Sequence, residues 1–323
     1  MPLLTSMLLS TRSPWRPRSF WPASVMARQR VRRLLPLLLA APVACLAQGQ
    51  GKLLLTGGVS SIDGAAGGGL TPWALTGSYA TAGEIGATAF ATRLPTRDYG
   101  LTGYGALIAW GERAELSIAK QDFSAGSTGA ALGLPGLRLK QTLISAKVRL
   151  GGDAVLDADT WLPQVALGVE IKRMDGGGLN PTLSVLGAKR HGVDVYLSAT
   201  KLFLGQSTLV NLTLRASRAN QNGLLGFGGS ASDRYSLLPE VSVAYLLNRH
   251  WAIGAEYRMK PDKLNPSVLG DALREDDWKD VFIVWAPNKH VSLTAAYVDL
   301  GRIVPGLQPR RQQGVYGSIQ LAY

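Results

Sequence analysis

Three histidines, one cysteine and 22 carboxylates among 323 residues set narrow limits on the chemistry open to this chain. His191, His250 and His290 fall in no His-x-x-x-His spacing, and Cys45 has no second cysteine, so no metal-ligand pattern is present and no cofactor is expected. A hydrolase on the serine–histidine–acid plan needs a histidine, a serine and an orienting Asn or Asp at one rim. His191 near Asp194 is the nearest approach, and no serine is placed to join it. Gly223, Gly226, Gly228 and Gly229 form a glycine-rich stretch without the Gly-Lys-Ser/Thr ending that grips phosphate, and it reads as a flexible external loop. Glu275, Asp276, Asp277 and Asp280 make an acidic cluster that misses the EF-hand spacing and reads as solvated loop. What remains is a mixed set of charges. Lys147, Arg149, Lys172, Arg215 and Arg258 accompany Glu115, Glu170, Asp194, Glu240 and Glu256, nearly all flanked by apolar neighbours. Such a mixture can line a water-filled pore, where rings of charge set ion preference, or pair across an interior and fill it.

The elements that must position these charges are strands, because each charge lies in a segment of period two. Trp161, Pro163, Val165, Leu167, Val169 and Ile171 alternate with Gln164, Ala166, Gly168, Glu170 and Lys172. Val210, Leu212, Leu214 and Ala216 alternate with Asn211, Thr213, Arg215 and Ser217. Trp251, Ile253, Ala255, Tyr257 and Met259 alternate with Gly254, Glu256, Arg258 and Lys260, and the same pattern runs through 143–150, 193–200 and 237–247. These lengths suit the strands of a tilted transmembrane barrel, about 9–11 residues each. No apolar run is long enough for a membrane helix, so a bilayer would have to be crossed by strands. A lysine or arginine turned to hydrocarbon at mid-depth costs roughly 2–4 kcal/mol, so the charged face turns inward and the apolar face meets lipid. Trp161 and Trp251 then mark one interface, and Tyr257, Tyr235 and Trp278 the other, as two aromatic girdles.

The connections carry a second regularity. Short turns at 111–113, 205–206, 248–249 and 287–289, with a longer one at 151–159, alternate with long loops at 123–135, 174–190, 219–233, 261–277 and 302–312. That is the asymmetry of an outer-membrane barrel, with short periplasmic turns and long external loops. A secreted β-sandwich or lipocalin-like barrel also alternates, but lacks this sustained strand number and connection order. The expected fold is all-β, a transmembrane antiparallel up-and-down β-barrel of about 14 strands. Thirteen strands fit between Pro72 and Tyr323, and residues 52–60 supply the fourteenth, with 61–70 as its outer loop. The alternative is twelve strands, with the glycine-rich N-terminal stretch plugging the lumen.

Both ends of the chain fit export to a Gram-negative outer membrane. Residues 1–25 read as an over-extended gene start and 26–47 as a secretory signal peptide, with a basic start, a 14-residue apolar core from Leu34 to Ala47 and cleavage expected after Ala47. Residues 48–323 are then the barrel. A lipoprotein acylated at Cys45 is disfavoured because Pro42 stands where such signals carry leucine. The formal net charge of +12 falls to +5 once the seven arginines of residues 1–47, a stretch without acids, are set aside. No nucleic-acid footprint is left. At the other end Val315, Gly317, Ile319, Leu321 and Tyr323 keep the period of two to the last residue. Tyr323, Leu321 and Ile319 are the expected signal for the barrel-assembly machinery, and outer-membrane lipid and lipopolysaccharide the expected surroundings.

Four stretches carry a family resemblance: GKLLLTGGVSSIDGAAGGGLTPWA (51–74), SATKLFLGQS (198–207), AYLLNRHWAIGAEYRMKPD (244–262) and DVFIVWAPNKHVSLTAAYVDLG (280–301). They resemble a proteobacterial family of outer-membrane proteins, the domain-of-unknown-function family 3034, across essentially the whole segment that follows the leader. The resemblance implies a signal peptide and an outer-membrane barrel, and brings no catalytic or ligand-binding residues. The functional expectation is a passive porin-like channel for small solutes, its lumen lined by Lys147, Arg149, Glu170, Lys172, Asp194, Arg215, Glu240, Glu256 and Arg258. The solute itself is not legible. A structural or surface-interaction barrel without transport is the alternative, and an outer-membrane enzyme has the least support.

Overall fold

The computed structural model describes residues 52–57, 59–155, 160–265 and 270–323. The leader, its Ala47 cleavage point and the reading of residues 1–25 lie outside the described residues. A two-residue hairpin comes first, β1 (Val59–Ser60) with β2 (Ala66–Gly67). Twelve antiparallel strands follow: β3 (Ile85–Pro95), β4 (Gly100–Trp110), β5 (Ala114–Ser124), β6 (Arg138–Gly151), β7 (Gln164–Asp175), β8 (His191–Phe203), β9 (Thr208–Ser217), β10 (Ser236–Leu246), β11 (Trp251–Arg258), β12 (Trp278–Trp285), β13 (Val291–Asp299) and β14 (Gln313–Ala322). Each pairs with its sequence neighbours, and β14 pairs with β3, so the sheet closes on itself with no free edge. At the seam Ala87 N–H donates to Tyr323 O at 2.8 Å, and Tyr323 N–H donates back to Ala87 O at 2.8 Å.

The wall therefore has twelve strands, not fourteen. The strand expected at 52–60 and the one expected to begin at Pro72 do not pair with the wall. A wall strand needs one wet or apolar outer face and one inner face, and from Ser61 to Ala80 nearly every residue is buried on all sides. This stretch is rich in Gly, Ala, Ser and Thr and has no apolar stripe to match the outer face of the wall. It runs up inside the barrel from the short-turn end, reverses around Asp63–Pro72, and descends to enter β3. The twelve-strand alternative with a plugged lumen describes this arrangement.

Alternation of exposure is nearly unbroken along the strands. Ile118, Ile144, Ile171, Leu212, Leu214, Val281 and Val315 point outward and are between 46% and 62% exposed, so the outer face is a contiguous apolar band. Short connections alternate with long ones from Gly111 onward, except that β6 and β7 at the short-turn end are joined by the longer segment 152–163. At the short-turn end Trp110, Trp161, Trp251, Trp285, Tyr245 and Tyr323 face out, with Trp251 stacked on Trp285 at 5.7 Å. At the long-loop end Tyr235, Tyr257 and Tyr297 do so. Trp278 does not belong to this outer girdle. It shares the inward parity of Asp280 and Phe282, and its ring is buried beneath Lys260, whose Nζ lies 4.3 Å from the ring centroid.

Candidate functional site: a plugged, charged lumen

The charges expected in the lumen lie on the inward face of the wall, with one at its margin. Lys147, Glu170, Lys172, Asp194, Arg215, Glu240, Glu256 and Arg258 are all buried. Arg149 has the same parity but sits at the short-turn mouth, ion-paired to Glu112 at 3.0 Å and to Asp153 at 3.3 Å. Lys147 and Glu115, on neighbouring strands near that end, form a pair at 3.0 Å. Higher up, Lys172 reaches Asp194 at 2.9 Å and Glu170 at 3.1 Å. Arg215 reaches Glu170 at 2.6 Å and Glu240 at 2.5 Å, and Arg258 reaches Glu240 at 3.3 Å. The network exists because the barrel curves inward-facing side chains from β7 to β11 toward one axis.

The centre of the network is a residue that sequence reasoning passed over. Asp63, at the tip of the plug, receives Arg258 Nη1 on Oδ2 at 2.8 Å, with Lys172 at 3.8 Å and Arg215 at 3.9 Å. Asn222 Nδ2 donates to its other oxygen at 2.7 Å. The plug is held elsewhere by its backbone. Glu115 accepts Ala66 N–H at 3.0 Å and Gly77 N–H at 2.8 Å. Lys147 donates to Ala66 O and Trp73 O, and Glu256 accepts Leu70 N–H at 2.7 Å and Thr71 Oγ1 at 2.6 Å. A run of glycines makes the last contact possible, since a Cβ on Gly68 would lie 2.1 Å from Glu256 Oε1. Lys52, at the foot of the plug, donates to Thr76 O and Ser78 O, and burial pulls its ammonium down to about 8.

A second piece closes the long-loop end. The stretch 219–229, expected as a flexible external loop, turns into the barrel and is buried throughout. Leu224, Leu225 and Phe227 join Ile62, Leu94, Phe123, Trp278 and Ile303 in an apolar cap over the charges. Gln221 and Asn222 adopt left-handed backbone, φ +45° and +59°, at a cost of roughly 1–2 kcal/mol each. That geometry turns Asn222 inward, so its Oδ1 accepts from Lys172 at 2.8 Å and from Arg258 at 2.9 Å. The acidic cluster is not solvated loop either. Asp280 is a buried residue of β12, and Glu275 is buried against Lys260 at 2.9 Å, with burial raising its carboxyl. Asp276 takes a two-point hydrogen bond from Arg302, which holds its carboxyl down to about 2. Cavities between plug and wall measure about 20–30 Å³, room for single waters.

The histidines stay apart from all this. His191 faces outward while Asp194, three residues on, faces in, so the wall separates them. His250 and His290 cap turns, their Nδ1 atoms beside Ala286 O and Ala322 O. Among the described residues no three of His, Cys, Asp and Glu are gathered as a metal cluster.

A family model described as "Protein of unknown function (DUF3034)" matches residues 56–320, from the plug to the closing strand. The chain belongs to that family. No curated protein matches it. Among solved structures, the KdgM porin in complex with oligogalacturonate is similar at 10% identity and TM-score 0.45, over 73% of this chain and 99% of that one. An outer-membrane channel from Pseudomonas putida F1 is similar at 13% identity and TM-score 0.43, over 75% and 96%. Outer membrane phospholipase A from Escherichia coli is similar at 11% identity and TM-score 0.39, over 83% and 98%. At this distance none of the three bears on what this chain does.

Proposed function

We propose that this protein is a porin-like barrel of the bacterial outer membrane, reached through the leader at 26–47, whose passage for small solutes is held shut by its own N-terminal segment. The apolar exterior with aromatics at both ends supports the membrane setting, where only helices or closed barrels satisfy their backbone. The observation that carries the channel reading is what fills the lumen. A barrel meant only as a solid pin can fill its core with wall side chains. Here the wall presents Lys147, Glu170, Lys172, Arg215, Glu240 and Arg258 to the interior, and a separate polar segment occupies the space between them. Such a wall remains compatible with water once that segment moves. No energy source or cofactor is implied, and lipopolysaccharide and the barrel-assembly machinery are the proposed surroundings and helper.

Planar-bilayer recording tests this. The full chain is expected to stay closed most of the time with rare openings. A chain lacking residues 52–80, or carrying Asp63→Asn if the deletion fails to fold, is expected to conduct. A plug-free, correctly inserted barrel without conductance would reduce the protein to a structural or surface-interaction role.

A further inference from the structure

The outer face of the wall is apolar over most of its height, but one patch on β5 to β8 carries charge. Near the long-loop end Lys120, Thr142, Arg173 and His191 are successive register partners, with Tyr104 of β4 opposite Lys120. Tyr104, Lys120, Arg173 and His191 all face outward and are exposed. The next outward row toward the short-turn end is Ile118, Ile144 and Ile171, again direct partners. It lies two residues along each strand, about 7 Å at the usual rise. Nearer the short turns the exposed side chains facing out on these strands are apolar, among them Leu116, Val148, Leu167 and Leu197. The apolar band therefore has a charged border on one edge only. Across the barrel, Tyr257 and Tyr297 face out near the same end, so the cations gather on one side.

Pairing separates two rows within the patch. Closest to the loops, Lys140 stands between its register partners Asp122 and Asp175, and each acid already holds an arginine. Asp122 meets Arg138 at 2.7 Å and Asp175 meets Arg190 at 3.7 Å. Lys120 and Arg173, one row nearer the isoleucines, have no ion pair or side-chain hydrogen bond among the described residues. A cation on the lipid face is costly at mid-depth and cheap at the interface, so in a membrane this row marks the edge of the hydrocarbon. The two backbones are two strand spacings apart, roughly 10 Å, which leaves room for two anionic groups on one headgroup. Arginine and lysine at that edge are phosphate binders, and the isoleucine row beside them is an apolar bed for acyl chains.

We propose that Lys120 and Arg173 bind the phosphates of a polyphosphorylated glycolipid, the lipid anchor of lipopolysaccharide, whose acyl chains lie along Ile118, Ile144 and Ile171. The assignment rests on the membrane reading above and is independent of the plug. It gives one face of the barrel, β5 to β8, a bound lipid, and gives the exposed His191 a place in the headgroup zone rather than in catalysis.

The test titrates the full chain, folded in detergent, with bis-phosphorylated lipid A, with its dephosphorylated form and with phosphatidylglycerol, and reads retained lipid by native mass spectrometry. Bis-phosphorylated lipid A should bind most tightly. Each basic side chain near an anionic lipid surface is worth about fivefold in affinity, so Lys120→Gln and Arg173→Gln should each weaken binding by about that factor and the double variant by about 25-fold. Lys279→Gln, an exposed outward position across the barrel, should leave it unchanged. All four variants alter exposed side chains and should keep the heat-shifted band of the folded barrel. Undiminished binding by the double variant, or equal binding of the dephosphorylated lipid, would overturn the site. Phosphatidylglycerol binding as tightly as lipid A would overturn the choice of ligand. A barrel that enters vesicles yet shows either result fails here alone, whereas one that never enters vesicles loses the membrane reading first.

Discussion

Asp63→Asn isolates the grip of the lumen on the plug. The substitution keeps the shape and leaves a group that can still meet Asn222, but removes the charge facing Arg258 at 2.8 Å, Lys172 at 3.8 Å and Arg215 at 3.9 Å. Breaking a fully buried ion pair typically costs about 3–5 kcal/mol, mostly because a charge is orphaned. Here the three cations retain Glu170, Asp194 and Glu240, so no wall charge is stranded and the loss falls on plug attachment. We therefore expect about 2–3 kcal/mol less holding energy, a figure reduced from that range. At tenfold per 1.4 kcal/mol this is roughly a 30- to 150-fold rise in the plug-released population. Ser61 is buried beside Asp63 and its Oγ has no partner, so Ser61→Cys in a Cys45→Ser background is a near-isosteric reporter. Its reaction with a soluble maleimide should accelerate by that factor in Asp63→Asn, because labelling of a buried thiol follows the open fraction. The electrophoretic heat-shift of the barrel should not change, since the wall hydrogen bonds are untouched. An unchanged labelling rate would refute the idea that Asp63 is the principal anchor.

Ile144→Arg places a charge on the outer face of β6 at mid-strand, and should lower reversible folding stability in vesicles by roughly 2–4 kcal/mol. No change there would mean that this face is not in hydrocarbon. Phe227→Ala removes the fully buried ring of the inward loop, a truncation that costs about 3–5 kcal/mol in packed cores. Proteolysis within 219–229 should become fast while the strands stay protected, and equal protection of both would show that the ring does not hold the loop. Asp276 adds a pH dependence. Its folded-state value of about 2 lies below the ordinary aspartate value, so its stabilisation is present above that ordinary value and is lost as pH falls toward about 2. Release of the 300–312 loop, read by proteolysis in that acid window, should disappear in Asp276→Asn, whose loop is already loose at neutral pH.

The wall was legible because its two faces differ in composition, apolar outside and polar inside. In the proposed membrane setting lipid forbids charge and the lumen tolerates it, so the alternation of Leu212 and Leu214 with Thr213 and Arg215 gives both strand and facing. Trp278 shows where a residue-type rule misleads. Aromatics favour the membrane interface, but Val281, Ile283 and Trp285 point outward on the same strand, and parity then forces Trp278 inward. Parity is geometric and outranks preference, so the strand pattern alone contained the right answer.

The plug was harder for a different reason. Strand parity demands an even count but cannot tell a wall strand from a segment inside the wall, and both twelve and fourteen satisfy it. What separates them is the absence of alternation in residues 61–80, where three consecutive glycines, Gly67–Gly69, offer nothing to lipid and everything to a close backbone approach. Asp63, one acid in that small-residue run, was the visible sign that the run meets cations. Its partner Arg258 lies 195 residues away and becomes its neighbour only when β14 closes on β3. Segments that make the wall are set by local pattern and medium, whereas the lumen is assembled by closure. In this barrel period reaches which side chains face the interior, but not which of them meet there.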